Sequence, residues 1–268
     1  MKAGNLAFVC YETPFAPCGG VAAVMRYLPA AIQRSTRETV FVLTPYHVKI
    51  KQTRELELAN AGEVHVSYLG DIYPVELLLL ERDVNWVFLR AAKLPANEPP
   101  FFGGSRHPYD VGDYRRDVPE VLLRDALFFG VAAARALPAL DAGSEWELLV
   151  QDWEAATTCL ALAGAASNKA TSHLTLHNSY DSRASNADLQ EFEIDPSDCP
   201  GRTILERAIP LVSKPIFTVS EQFAMDLTGE IIQSRIMAPH LGNLLRDNVI
   251  GVNNGMFTVP SAPEASGR

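Results

Sequence analysis

Four clusters of polar residues stand directly after short apolar runs, and they hold most of the side chains able to do chemistry. Glu12 follows "NLAFVC" and leads through Pro14-Phe15-Ala16 to the pair Gly19-Gly20. Gln151, Asp152, Trp153 and Glu154 follow "ELLV"; His177, Asn178, Ser179 and Tyr180 follow "LTL"; Ser220 and Glu221 follow "FTV". Glu12 and Asp152 are acceptors when ionised, Asn178 both donates and accepts, and Trp153 and Tyr180 carry flat apolar faces. A glycine pair between a strand and a helix lets backbone N–H groups approach an anion at the positive end of the helix dipole, or simply makes a tight loop. Ser220 with Glu221 reads as helix capping. His177 either contacts a ligand or ends a strand by satisfying a neighbouring carbonyl.

The elements that must position these groups alternate along the chain. Apolar runs at 5–10, 39–44, 64–69, 147–152, 172–177 and 215–220 read as strands, mostly continuous and so covered on both faces. Helical patterns lie at about 20–34, 117–138, 154–166, 203–213 and 220–232. This alternation predicts an α/β fold with a Rossmann-like, doubly wound parallel sheet. Such a sheet binds ligands at the carboxyl ends of its strands, so the Gly19-Gly20 loop, Asp152 and His177 are expected on one edge. The acidic stretch 187–201 reads as a mobile surface segment. Phe15, Phe101, Phe102 and Trp153 are expected as exposed aromatics along the same edge, a binding surface.

Composition excludes several classes. The 268 residues are 47% hydrophobic and 21% charged, with a net charge of −9. No basic run is present, which argues against nucleic acid or an anionic membrane as partner. Cys10, Cys18, Cys159 and Cys199 form no CxxC pair, as expected of thiols in a reducing cytoplasm. The N-terminal apolar run of about six residues is too short for a signal peptide, and "ALFFGVAAARALPAL" is broken by Arg135 and Pro138. The six histidines have no ligand spacing with cysteines or carboxylates, so no metal site and no cofactor are expected. Signatures of hydrolases, P-loop nucleotidases and dinucleotide enzymes are missing.

Several segments taken together are similar to the glycogen/starch synthase family of glycosyltransferases. "ETPFAPCGGVAAVMRYLPAAI" resembles its opening motif, "RRDVPEVLLRDALFFGVAAARALPAL" its long alanine-rich helix, and "ELLVQDWEAATTCLAL" its Asp-Trp motif. "SHLTLHNSYDS" resembles its Thr-x-His-Asn motif, "KPIFTVSEQFAMDL" its Thr-Val-Ser segment, and "HLGNLLRDNVIGVNNGM" the stretch closing its first domain. The resemblance implies the N-terminal half of a GT-B fold over residues 1–256, on the acceptor side, followed by a linker or disordered tail over 257–268. It implies transfer of glucose from ADP-glucose or UDP-glucose, as substrate, to an α-glucan or other saccharide acceptor. The donor site would then lie on another domain or a protein partner, and the isolated chain is expected to show no transfer.

The chain departs from that pattern where chemistry is expected. Pro17 and Cys18 stand where synthases place a lysine before the glycine pair, Ala23 replaces an acidic residue, and Gln151 and Glu154 replace histidines flanking Asp-Trp. Glu12, Gly19, Gly20, Asp152, Trp153, His177 and Asn178 remain. His177 and Asp152 are the candidate catalytic residues; Glu12, Gly19, Gly20, Trp153, Asn178 and Tyr180 are the candidate substrate contacts, a rim suited to a sugar. Loss of the lysine leaves a second reading open, a non-catalytic glucan-binding or assembly module.

Overall fold

The computed structural model describes residues 4–47, 56–91, 101–102, 118–164, 169–229 and 232–255. The tail proposed at 257–268 lies outside these residues. Among them, nine strands form one sheet in the order β3-β4-β5-β2-β1-β6-β7-β8-β9. The strands are β1 (Asn5–Cys10), β2 (Thr39–Pro45), β3 (Ala59–Tyr68), β4 (Asp71–Glu81), β5 (Asn85–Ala91), β6 (Trp146–Gln151), β7 (Ala170–Leu176), β8 (Ser213–Thr218) and β9 (Val249–Gly251). Every recorded pairing is parallel except the two made by β4. The fold is therefore mixed α/β with a mostly parallel sheet, in which β4 runs antiparallel to its neighbours. Residues Leu69 and Gly70 turn the β3–β4 hairpin with φ of 50° and 85°; such a turn needs left-handed backbone at both positions, a conformation glycine adopts without strain.

The central strand shows why both faces are covered. Ala7 and Val9 belong to one apolar cluster, while Phe8 and Cys10 belong to the other. All four are fully buried, and successive side chains of a strand point to opposite faces. Helix α1 (Gly20–Ser35) brings Val21 and Met25 onto the Phe8 face. Helices α2 (Val118–Leu140) and α3 (Asp152–Ala163) supply Ala126, Phe128, Ala155 and Leu160 to the other. Gly130 of α2 lets α3 approach closely: a Cβ there would sit 2.6 Å from the Thr157 carbonyl carbon.

The chain leaves β1 for β2 on one side and leaves β6 for β7 on the other. Since β1 and β6 are neighbours, their carboxyl ends form the crevice in which open α/β sheets bind ligands. The 187–201 stretch is not a loose segment. It begins within helix α4 (Asn186–Gln190), capped reciprocally by Ser185 and Asp188, and it buries Phe192, Ile194 and Cys199. Arg207, in helix α5 (Ile204–Ala208), lies in the core beneath it and donates to the carbonyls of Cys199 at 2.7 Å and Ala184 at 3.0 Å. Composition reads that stretch as solvated; four apolar side chains, Leu189 among them, and one buried guanidinium hold it down.

Candidate active site

The register of β1 and β6 pairs Cys10 with Gln151, so Glu12 and Asp152 emerge side by side. Asp152 is the first residue of α3 and adopts φ 61°, a left-handed conformation uncommon for a residue with a side chain. That backbone aims its carboxylate across to the end of β7. Oδ1 accepts the main-chain N–H of His177 at 2.6 Å, and Oδ2 accepts from Asn178 Nδ2 at 3.1 Å. Asn178 Oδ1 in turn accepts the main-chain N–H of Tyr180 at 2.8 Å. Burial pushes the Asp152 carboxyl up to about 7 against the pull of these donors, and the charge of Glu12 adds to the rise.

His177 is half-buried, and Gln151 Oε1 lies 2.8 Å from its Nε2. Burial lowers its pKa to about 4, so the imidazole is neutral at ordinary pH. Asp152, His177, Asn178 and Gln151 thus make one interlocked group at the carboxyl ends of β6 and β7. It offers hydrogen-bonding atoms and a carboxyl able to hold a proton near neutral pH, but no cation.

The glycine loop is filled from within. Glu12 is 4% exposed, and its Oε1 accepts the main-chain N–H groups of Cys18 at 2.9 Å, Ala22 at 3.2 Å and Gly19. The anion at the N-terminus of α1 is the protein's own carboxylate. This corrects the reading of Gly19-Gly20 as a cradle open to a ligand anion at those three donors. A virtual Cβ at Gly19 would make only ordinary contact, 3.6 Å from Glu12 Oε2, and nothing lies within 4 Å of one at Gly20.

The aromatic residues divide differently from expectation. Trp153 is 5% exposed and packs in the apolar core, because helix α3 turns it inward; its face is not open to a sugar ring. Phe101 and Phe102 are also in the core, Phe101 stacked on Phe128 at 3.7 Å, and Phe15 packs edge-on against Trp86 and Phe88. The expected surface cluster does not form. Tyr180, 66% exposed, remains accessible at the rim. Ser220 accepts from Phe223 N at 3.0 Å, as a helix cap.

Sequence reasoning gave no role to three buried polar residues behind this edge. His47 follows β2 and places Nε2 3.2 Å from the Tyr11 carbonyl; the rule of inspecting residues after each strand would have found it. Glu154 is buried; the thiol of Cys18 is raised by burial first, then by Glu12, with Glu154 adding to the rise. Asp125 accepts from Phe102 N at 3.2 Å, and burial pushes its carboxyl up to about 7. Nothing local in the sequence marks it, since it sits mid-helix among apolar residues. Among the described residues no group of three His, Cys, Asp or Glu is placed to hold a metal ion, and no helix is long and apolar enough to cross a membrane.

Comparison with known proteins gives a consistent picture. A family model described as the starch synthase catalytic domain matches residues 5–246. Glycogen synthase 2 of Agrobacterium fabrum is 33% identical over 177 residues, covering 65% of this chain and 31% of that protein. The catalytic domain of Starch Synthase IV from Arabidopsis thaliana, solved bound to ADP and acarbose, has a TM-score of 0.73 at 19% identity; the match covers 95% of this chain and 52% of that one. At that identity the likeness is one of fold. The chain spans about half the length of the solved relative and a third of the curated one.

Proposed function

We propose, from the premise that the chain belongs to the starch synthase catalytic-domain family, that it forms the acceptor-side half of a glycosyltransferase moving glucose from a nucleotide sugar to an α-glucan. The observation carrying this reading is the Asp152–His177–Asn178 interlock at the carboxyl ends of β6 and β7, beside the β1/β6 crevice. A neutral imidazole, a carboxyl poised near neutrality and an amide suit the hydroxyls of a sugar. They do not suit a diphosphate. Stabilising a departing nucleoside diphosphate is electrostatic work that needs cations, and Pro17 and the Glu12-filled loop provide none. That work falls to a donor-binding domain, on the same polypeptide or a partner, taking ADP-glucose or UDP-glucose. His177 and Asp152 are assigned to the transferred or accepting sugar, with Glu12, Gly19, Gly20, Asn178 and Tyr180 around them. A cytoplasmic setting belongs to the same proposal; none of the four cysteines is in a disulfide.

The glucan-binding-module reading, left open by the loss of the loop lysine, also expected Trp153, Phe101 and Phe102 at the surface, and their burial removes that support. The test is calorimetric titration of the protein with maltoheptaose and, separately, with ADP, alongside assay of labelled glucose transfer to glycogen. Maltoheptaose binding that is lost in His177→Ala is the expected result. Tight ADP binding without any maltoheptaose binding overturns the assignment.

A further inference from the structure

Gln151 has a specific task in this arrangement. Its side chain is buried, 3% of the residue being exposed, and Nε2 donates to the Leu149 carbonyl at 3.0 Å. Oε1 lies 2.8 Å from His177 Nε2. The amide can sit only this way round, because the reversed orientation would set its oxygen against the Leu149 carbonyl oxygen, two acceptors with no proton between them. Oε1 therefore accepts, and the proton of a neutral His177 ring resides on Nε2. Nδ1 keeps its lone pair. The next residue, Asp152, holds the main-chain N–H of the same histidine at 2.6 Å. Two consecutive residues at the β6–α3 junction thus grip His177 at ring and backbone. The parallel register that pairs Gln151 with Thr175 brings the amide beside the end of β7.

We propose that Gln151 is a positioning residue that locks His177 in the Nε2-protonated tautomer, so that Nδ1 serves the site as a neutral acceptor for a ligand hydroxyl. The ligand part of this rests on the sugar-binding reading above; the tautomer part does not. A histidine in this state selects O–H donors and gives no attraction to phosphate. The low basicity of the buried ring keeps it so across neutral pH.

The experiment is long-range proton–nitrogen NMR on ¹⁵N-histidine-labelled protein at neutral pH, with the His177 signals assigned by their loss in His177→Asn. Wild type should show a pyrrole-like Nε2 and a pyridine-like Nδ1. Gln151→Leu, which removes the acceptor, should give a tautomer mixture and weaken maltoheptaose about five- to tenfold, the worth of roughly one hydrogen bond. Gln151→Glu keeps an acceptor toward Nε2 but sets an oxygen against the Leu149 carbonyl, so it should keep Nε2 protonated while raising the ring's pKa and lowering stability. A wild-type ring protonated on Nδ1, or a Gln151→Leu spectrum identical to wild type, overturns the proposal. A changed tautomer with unchanged maltoheptaose affinity overturns the acceptor role. Absence of maltoheptaose binding by wild type with the expected spectrum overturns the functional reading and leaves the positioning established.

Discussion

Oδ1 of Asp152 accepts the main-chain N–H of His177 at 2.6 Å, so the first residue of one helix fixes the end of the neighbouring strand. The carboxylate is held in place by a left-handed backbone, φ 61°. Asp152→Ala should cost about 2–4 kcal/mol, from an unsatisfied buried N–H plus the strain of a left-handed alanine. Asp152→Gly, which lacks the strain, should unfold at higher urea than Asp152→Ala. Equal midpoints would show that the backbone relaxes.

Glu12 is the internal anion of the α1 N-terminus. Glu12→Ala leaves the N–H groups of Cys18, Gly19 and Ala22 without that acceptor and should destabilise by about 1–3 kcal/mol. Sulfate should then raise the melting temperature of the variant more than that of wild type, with ionic strength matched by chloride, because a bound anion stabilises only the folded form. Equal responses in the two proteins would mean the emptied loop does not take an anion.

Asp125 makes stability pH-dependent. Its folded pKa of about 7 lies above the ordinary 3.8, owing to burial. The folded state therefore holds the proton more tightly, and this contribution is complete below 3.8 and lost as pH rises through about 7. Wild type should lose stability relative to Asp125→Asn between pH 5 and 8 in urea titrations, by up to a few kcal/mol. A constant difference across that range would show that the carboxyl titrates normally.

The pair His240–Asp181 works in the same direction. His240 Nε2 lies 2.8 Å from Asp181 Oδ2, whose Oδ1 also takes the N–H groups of Ser182 at 2.8 Å and Leu205 at 3.1 Å. The bond to Asp181 raises the imidazole above its ordinary 6.5, so its stabilisation is fully present below 6.5 and fades as pH rises through the higher folded value. His240→Gln should cost about 1 kcal/mol at pH 6 and less at pH 9. Thermal melts at the two pH values decide it.

Gly130 is where α2 meets α3. Alanine there would improve helix propensity by about 1 kcal/mol but must displace the Thr157 backbone, a strain of about 1–3 kcal/mol. Gly130→Ala should therefore melt lower than wild type. A rise in melting temperature would show that α2 and α3 separate without cost.

What the sequence determined by itself was the framework and the addresses. Short apolar runs such as "NLAFVC", bounded by turn residues and alternating with helical patterns, read as strands, and the carboxyl-end rule then put the Gly19-Gly20 loop, Asp152 and His177 on one edge. Strands β4 and β5 escaped, because their turns lack a signal as plain as an Asn-Gly pair; Leu69-Gly70 makes the β3–β4 hairpin and residues 82–84 join β4 to β5. Which way a side chain faces was decided by the tertiary structure alone. Trp153 follows Asp152 directly, yet the backbone of Asp152 sends one side chain into the crevice and the other into the core. The same holds for Glu12, whose partners lie six to ten residues along a folded loop, and for Gln151, which meets His177 across the strand register. Residue type states what a group can donate or accept. Only the register of neighbouring strands and the path of the loops bring a given donor within 3 Å of a given acceptor, and that is where this site acquires its chemistry.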